Sequence, residues 1–383
     1  MNPADELANL VGRGWKGALG RRAEFPLLAA RAAGVEPSGF GAWRASVLAE
    51  AVSLTLLAGS GSRWQASLAA ARTEGRLSGA QLDFDPEAPR GLFPVRDFLR
   101  RAPKAADGPE AGGLRLSRSR AGAALSPAGD LIPIAAYSIA AVSGIASHVV
   151  VVRGHEESIR RDILDALGLD HAAWTFATQE APYGKPLGHG DAAWQCRSLL
   201  RGARWVVANF GGDANSRFTV ETSLLAAAAL EATGGGFDLL LPAALQDDPA
   251  YPIGLDEEGL PLSFGHAKLQ GLRDGAEKGA PALVNVGLRV YRASALTAAL
   301  EELHAEHWVE GVGYAIPGNA PGNPEFALDN VDALLSSRRR SRVLAFARPR
   351  ELSPAKAFDG IPAFERAIAE VVEEDGALGG CRT

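Results

Sequence analysis

Apolar positions in this chain fall into short continuous runs separated by stretches with helical spacing. The runs Val52–Ala58, His148–Val152, Trp174–Thr178, Trp205–Asn209, Phe237–Leu241, Leu283–Tyr291 and Arg342–Ala347 predict strands. Glu156–Leu167, Ala192–Leu200 and Val220–Thr233 predict helices between them. Such alternation predicts an α/β fold, a doubly wound and mostly parallel sheet with helices on both faces. Ligands of these sheets bind beyond the carboxyl ends of the strands. Residues 1–48 are alanine-rich with helical spacing, broken at Pro26 and between Gly34 and Gly41, and predict a helical N-terminal extension. The main domain is expected over 49–350, interrupted by an insertion at 65–128, with a C-terminal helical segment at 351–383 completing the site.

The stretch Leu131–Val152 holds no Asp, Glu, Lys or Arg and is long enough to span a bilayer. Pro133, Gly144 and the polar residues Ser138, Ser143, Ser147 and His148 interrupt it. It reads better as a helix over Pro133–Val142, a turn, then a strand, so no membrane partner is expected. The 383 residues suffice for a full core, and 47% hydrophobic with 22% charged is ordinary for a globular chain. A net charge of −6 argues against a general nucleic-acid binder. Cys196 and Cys381 offer neither a disulfide framework nor zinc spacing, and the N-terminus has no basic and apolar signal pattern. A reducing cytoplasm fits. The sequence leaves the oligomeric state open.

Candidate chemistry begins where the first strand ends. Gly59-Ser60-Gly61 allows close backbone approach, and its bare N–H groups with Arg63 suit phosphate oxygens. Trp64 stands where a dinucleotide loop would go on toward a third glycine, and no Gly-Lys-Ser/Thr is present. Leu57-Ala-Gly-Ser-Gly-Ser-Arg63 resembles the signature loop of the sugar-phosphate nucleotidyltransferases. These enzymes join a nucleoside triphosphate to a sugar 1-phosphate and release pyrophosphate. The competing reading is a strand that simply ends in a glycine turn.

Further segments resemble that family in order along residues 50–370. Pro89-Arg90-Gly-Leu-Phe-Pro94 resembles its Pro-Lys-x-Leu-x-Pro element, with Arg90 in place of the triphosphate-binding lysine. Gln179, followed by a glycine-rich turn at Gly188-His189-Gly190-Asp191, resembles the base-reading segment. The variant turn looks closest to the UDP-sugar pyrophosphorylase branch, so UTP is favoured. For Asp191 a helix cap is the alternative. Val206-Val-Ala-Asn-Phe-Gly211-Gly212-Asp213 resembles the strand whose aspartate binds Mg2+, and a turn aspartate is the alternative. Asn285 in Asn285-Val-Gly287 and Glu325 before a helix resemble residues near the sugar; a loop-pinning asparagine and a cap are the alternatives. Asp359 in Phe358-Asp-Gly resembles a second metal ligand. Lys268 is a weaker match to a lysine that touches sugar and phosphate.

The resemblance thus implies a GT-A-like nucleotidyltransferase fold and a Mg2+-dependent transfer. Arg63, Arg90 and Asp213 would be the catalytic set. Gly59, Gly61, Gln179, Gly188, Asn285 and Glu325 would bind substrates, and Asp213 with Asp359 would hold the metal. Alternatives are another GT-A-like enzyme, a glycosyltransferase or cytidylyltransferase, or a non-catalytic nucleotide-sugar-binding protein. The insertion carries Arg96, Arg100, Arg101, Lys104, Arg115, Arg118 and Arg120, which suits either a solvated loop or a cationic lid.

Overall fold

The structure is a computed structural model. It describes residues 1–57, 62–85, 88–99, 131–247, 249, 252–264, 281–317, 319, 322–352 and 358–380, without the side chains of 62–63, 263–264, 352 and 377–380. Gly59, Gly61, the Arg63 side chain, Lys268 and the basic stretch 100–120 therefore lie outside what is described.

The described residues form an α/β fold around one large mixed sheet. Its strands are β1 Ala51–Leu56, β2 Ser147–Val152, β3 Trp174–Thr178, β4 Trp205–Phe210, β5 Leu239–Gln246, β6 Ile253–Leu255, β7 Pro261–Phe264, β8 Ala282–Asn285, β9 Arg289–Arg292 and β10 Ser341–Leu344. The order is β3-β2-β1-β4-β9-β5-β8-β6-β7, with β10 paired to β5. β1, β2, β3 and β4 run parallel, as do β5 and β10. β9 is antiparallel to both β4 and β5, and β6, β7 and β8 pair antiparallel. The sheet is thus less uniformly parallel than the strand–helix alternation suggests.

The expected strand Leu283–Tyr291 is broken. β8 pairs with the far half of β5 and β9 with its near half, and Val286-Gly287-Leu288 bulges between them. Gly287 has φ +78°, a conformation that favours glycine. The short β6–β7 hairpin has no strong apolar run and was not expected.

Chain order explains where a ligand can sit. From β1 the chain moves outward to β2 and β3, then returns to place β4 on the other side of β1. This reversal is a topological switch point, where adjacent strand ends leave a crevice. In register, Leu56 lies beside Phe210, so the segments after β1 and after β4 emerge together.

Helices cover the sheet in two layers. Pro3–Leu10, Phe25–Ala32, Phe40–Ala49 and Ala135–Val142 pack against Arg217–Ala232. His189–Gln195, Ala293–His307 and Leu328–Ser337 form the other group. Helix Arg217–Ala232 is buried almost all round, from Phe218 to Leu230. Leu7, Leu10, Phe25 and Leu28 of the N-terminal helices share its hydrophobic core. That helix starts at the Ser216 cap. Its first amides are met by carboxylates from far along the chain: Glu351 accepts from Ser216 N at 3.2 Å, and Asp375 accepts from Arg217 N at 2.8 Å. Buried Arg22 pairs with Glu351 at 2.8 Å. Beginning, middle and end of the chain meet at this point. The stretch 131–152 forms a short strand, helix Ala135–Val142 and β2. Among the described residues, no helix is long and apolar enough to cross a membrane.

Candidate functional site

The carboxyl ends of β1 and β4 carry a compact arrangement. Gly211 and Gly212 follow β4, and both are needed for space. A Cβ on Gly211 would fall 1.6 Å from Leu57 Cδ2, and one on Gly212 would fall 2.8 Å from an Arg90 guanidinium nitrogen. The turn Arg90–Leu92 therefore lays its arginine along the Gly211-Gly212 backbone. Gly91 lies equally close, with Gly211 O 3.1 Å from where its Cβ would be. The Ser138 hydroxyl holds the same turn, 2.8 Å from Phe210 O and 3.0 Å from Asp213 O, and donates to one of them at a time.

Asp213 is half-buried and lies over the bulge between β8 and β9. A Cβ on Gly287 would fall 2.0 Å from Asp213 Oδ2, so the carboxylate occupies the space that glycine leaves. Asn285 fixes that bulge. Its Nδ2 donates to Leu288 O at 2.8 Å and Pro242 O at 3.2 Å, and its Oδ1 accepts from Gly287 N at 2.8 Å. Asn285 thus pins backbone, and in this conformation its amide supports Asp213 from behind rather than facing a sugar hydroxyl. Buried Asn215 completes the support, with Nδ2 donating to Val286 O at 2.8 Å.

A second group lies alongside. Gln179 is buried at the end of β3, and its Nε2 donates to Gly188 O at 2.9 Å and Asp191 Oδ2 at 3.1 Å. Both acceptors demand the nitrogen, which leaves Oε1 as the acceptor side of the amide. Gly188 has φ +97°, and a Cβ there would fall 2.5 Å from Phe326 O. The turn is shaped by the passing Glu325–Ala327 segment: Gly190 N donates to Phe326 O at 2.8 Å and Phe326 N to Leu187 O at 2.7 Å. Glu325 is half-buried beside Gly188. Asp191 neither caps its own helix nor faces outward. Its buried carboxylate accepts from Gln179, Gln195 and Tyr314, while burial pushes its pKa up against those bonds.

His189 joins the two groups. Its ring packs edge-on to Phe210 at 4.9 Å, and its Nδ1 accepts from Leu328 N at 2.9 Å, so neutral His189 carries its proton on Nε2. That nitrogen lies 3.6 Å from Asp329. Asp329 also pairs with buried Arg289 at 3.1 Å, and Arg289 sits over the Phe210 ring and bonds Asp332 at 2.7 Å. His189 was legible only as part of the glycine turn. The signal for Arg289 was a lone cation inside the apolar run Val286–Tyr291.

Of the expected site residues, Arg90, Asp213 and Asn285 come together beyond the end of β4, and Gln179, Gly188 and Glu325 gather beyond the end of β3, with β2 and β1 between the two strands. Asp359 does not stand free for a metal: it forms an ion pair with Arg76 in an exposed turn, and the adjoining Phe358 N donates to Ser67 Oγ at 2.8 Å. Among the described residues, no group of three or more His, Cys, Asp or Glu is arranged to hold a metal ion. Of the two expected ligands, only the Asp213 carboxylate lies at the strand end, close to Arg90 at the same turn. That set suits Mg2+, which is commonly held by one or two carboxylates together with substrate phosphates. No protein-family model matches the chain, and no curated protein matches it in sequence.

Proposed function

We propose that this chain is a magnesium-dependent nucleotidyltransferase that joins a nucleoside triphosphate, UTP by preference, to a sugar 1-phosphate. The observation that carries the reading is the meeting of Arg90, Gly211-Gly212 and Asp213 at the paired ends of β1 and β4, where the sequence also places Gly59-Ser-Gly61 and Arg63. The sheet order, with its switch point between β1 and β4, is compatible with the GT-A-like fold that the sequence resemblance implies.

In this reading a sugar phosphate oxygen attacks the α-phosphorus of the triphosphate in line. One P–O bond forms, the bond to the β-phosphate breaks, and pyrophosphate leaves. The nucleophile is already anionic, so positioning and charge neutralisation carry the reaction rather than proton transfer. Arg63 and Arg90 hold the triphosphate, and the loop amides at Gly59 and Gly61 donate hydrogen bonds to its oxygens. Asp213 would hold Mg2+, which supplies charge neutralisation on the phosphate oxygens. Asp359 would join it only by releasing Arg76. Gln179 reads the base in this proposal, and its Oε1, the side of the amide not bonded to Gly188 or Asp191, is the acceptor that a base N–H such as that of uracil would meet. Gly188 and Glu325 shape that wall, and Asn285 acts by fixing the Gly287 bulge.

Screening a panel of sugar 1-phosphates against four triphosphates for Mg2+-dependent pyrophosphate release tests the proposal. Release with one pair, lost in Asp213→Asn, is the expected result. No release with any pair, from a folded protein, would overturn it.

A further inference from the structure

A glutamine amide keeps its shape when it turns over, so its donor and acceptor can change places. Uracil presents an N–H flanked by carbonyls, whereas cytosine presents a bare ring nitrogen beside an amine. An amide free to turn over fits both. Two acceptors hold Gln179 Nε2, the Gly188 carbonyl at 2.9 Å and the Asp191 carboxylate at 3.1 Å. The bond to the carboxylate belongs to the stronger, charge-assisted class. Asp191 is itself held through both oxygens. Its Oδ2 also accepts from Gln195 Nε2 at 2.7 Å, and Gln195 cannot turn over, because its Oε1 accepts from Glu180 N at 2.7 Å. Its Oδ1 accepts from the Tyr314 hydroxyl at 3.0 Å. That hydroxyl has one proton, so it must accept from His304 Nδ1, 2.9 Å away. His304 is half-buried and stacked on Trp194, on the same helix as Asp191, with ring centroids 3.6 Å apart. The chain Gln179–Asp191–Tyr314–His304 thus runs outward with each donor facing an acceptor.

We infer, on the reading of Gln179 as the base reader, that Asp191 is the positioning residue that sets base choice. Its Oδ2 holds the Gln179 amide so that only the amide oxygen is left for the base, which selects a base with an N–H, such as uracil, over cytosine. The requirement at this position is an acceptor facing Gln179, not a charge. Asparagine meets it by giving its oxygen to Gln179 and Gln195 and its NH2 to Tyr314, whose hydroxyl then turns its proton to His304 Nδ1. Leucine does not.

Isothermal titration of the full chain with UTP, CTP and ATP in the presence of Mg2+ needs no sugar phosphate. The wild-type chain should prefer UTP. Asp191→Leu should lower the preference for UTP over CTP about fivefold or more, and should weaken UTP more than ATP. Asp191→Asn should keep the preference within about twofold of wild type. Should Asp191→Leu fail to fold, Tyr314→Phe, which removes only the hydroxyl on Oδ1, replaces it, with a loss of about threefold or more expected. No binding of any triphosphate, or binding without preference for UTP, would overturn the reading of Gln179 and this role together. A UTP preference kept by folded Asp191→Leu, an equal loss for all three triphosphates, or a loss in Asp191→Asn as large as in Asp191→Leu would overturn the role of Asp191 alone.

Discussion

Gly287→Ala should separate the support of Asp213 from general stability. Gly287 has φ +78°, where an L-residue costs about 1–2 kcal/mol relative to its usual regions. The added methyl would also fall 2.0 Å from Asp213 Oδ2, whereas ordinary contact begins near 3.4 Å. One of the two groups must retreat by about 1.4 Å. Asp213 is the softer partner, because Asn285 locks the bulge with three hydrogen bonds. Displacing a catalytic group by about 1 Å can cost on the order of a hundredfold in rate. Gly311 is the matched control: it too has φ +78°, but nothing lies within 4 Å of its would-be Cβ. Urea unfolding should show both variants losing about 1–2 kcal/mol. Pyrophosphate release, with the substrate pair found by screening, should fall roughly a hundredfold in Gly287→Ala only. Near-normal turnover by folded Gly287→Ala would refute the placement of Asp213 in the chemistry. An equal drop in both variants would refute the steric argument.

Asp213→Asn should keep the fold and lower turnover about a hundredfold or more, a few kcal/mol of charge stabilisation, measured at limiting Mg2+. Gln179→Leu should cost about 1–3 kcal/mol, because Gly188 O and Asp191 lose a donor, and should narrow the preference for UTP; thermal melts and competition between triphosphates check the two parts. His148 is stacked on Trp174 at 3.7 Å and hydrogen-bonded to Ser53, and burial lowers its pKa to about 4. Its unfolded pKa is about 6.5, so its contribution is complete above that pH and is lost as pH falls toward 4. The loss is roughly 3 kcal/mol, and urea unfolding across this range should show a shallower slope in His148→Gln. Arg22→Met leaves buried Glu351 without its cation and should cost about 3–5 kcal/mol, read in the same assay.

Much of the sheet was legible because its inner strands are buried on both sides. Val149–Val152 and Trp205–Ala208 are continuous apolar runs, and such runs announce strands without any partner. The break at Val286–Leu288 was hidden because Asn285 and Gly287 form the bulge by local bonds that do not alter the apolar pattern. The β6–β7 hairpin was hidden because its strands are short and contain Pro261 and Gly254, so pairing rather than composition makes them strands. At the site, residue types were readable but their partners were not. Gln179 looks like a base reader in sequence, yet its donors are spent on Gly188 and Asp191, positions set by the return of Phe326 more than a hundred residues later. The N-terminal helices read as an appendage because alanine-rich segments bury little area per residue. Only their packing on Arg217–Ala232 reveals them as core.

The way that helix is capped also sets when the protein can finish folding as it is synthesised. A helix buried on nearly every side leaves its first amides no water to fall back on. Here they await Glu351 and Asp375, made more than a hundred residues after Ser216 leaves the peptidyl-transferase centre. Until Glu351 has emerged, Arg22 also lacks its buried carboxylate. The cap therefore closes only after Glu351 and Asp375 have emerged, and a stop before Glu351 would remove both partners.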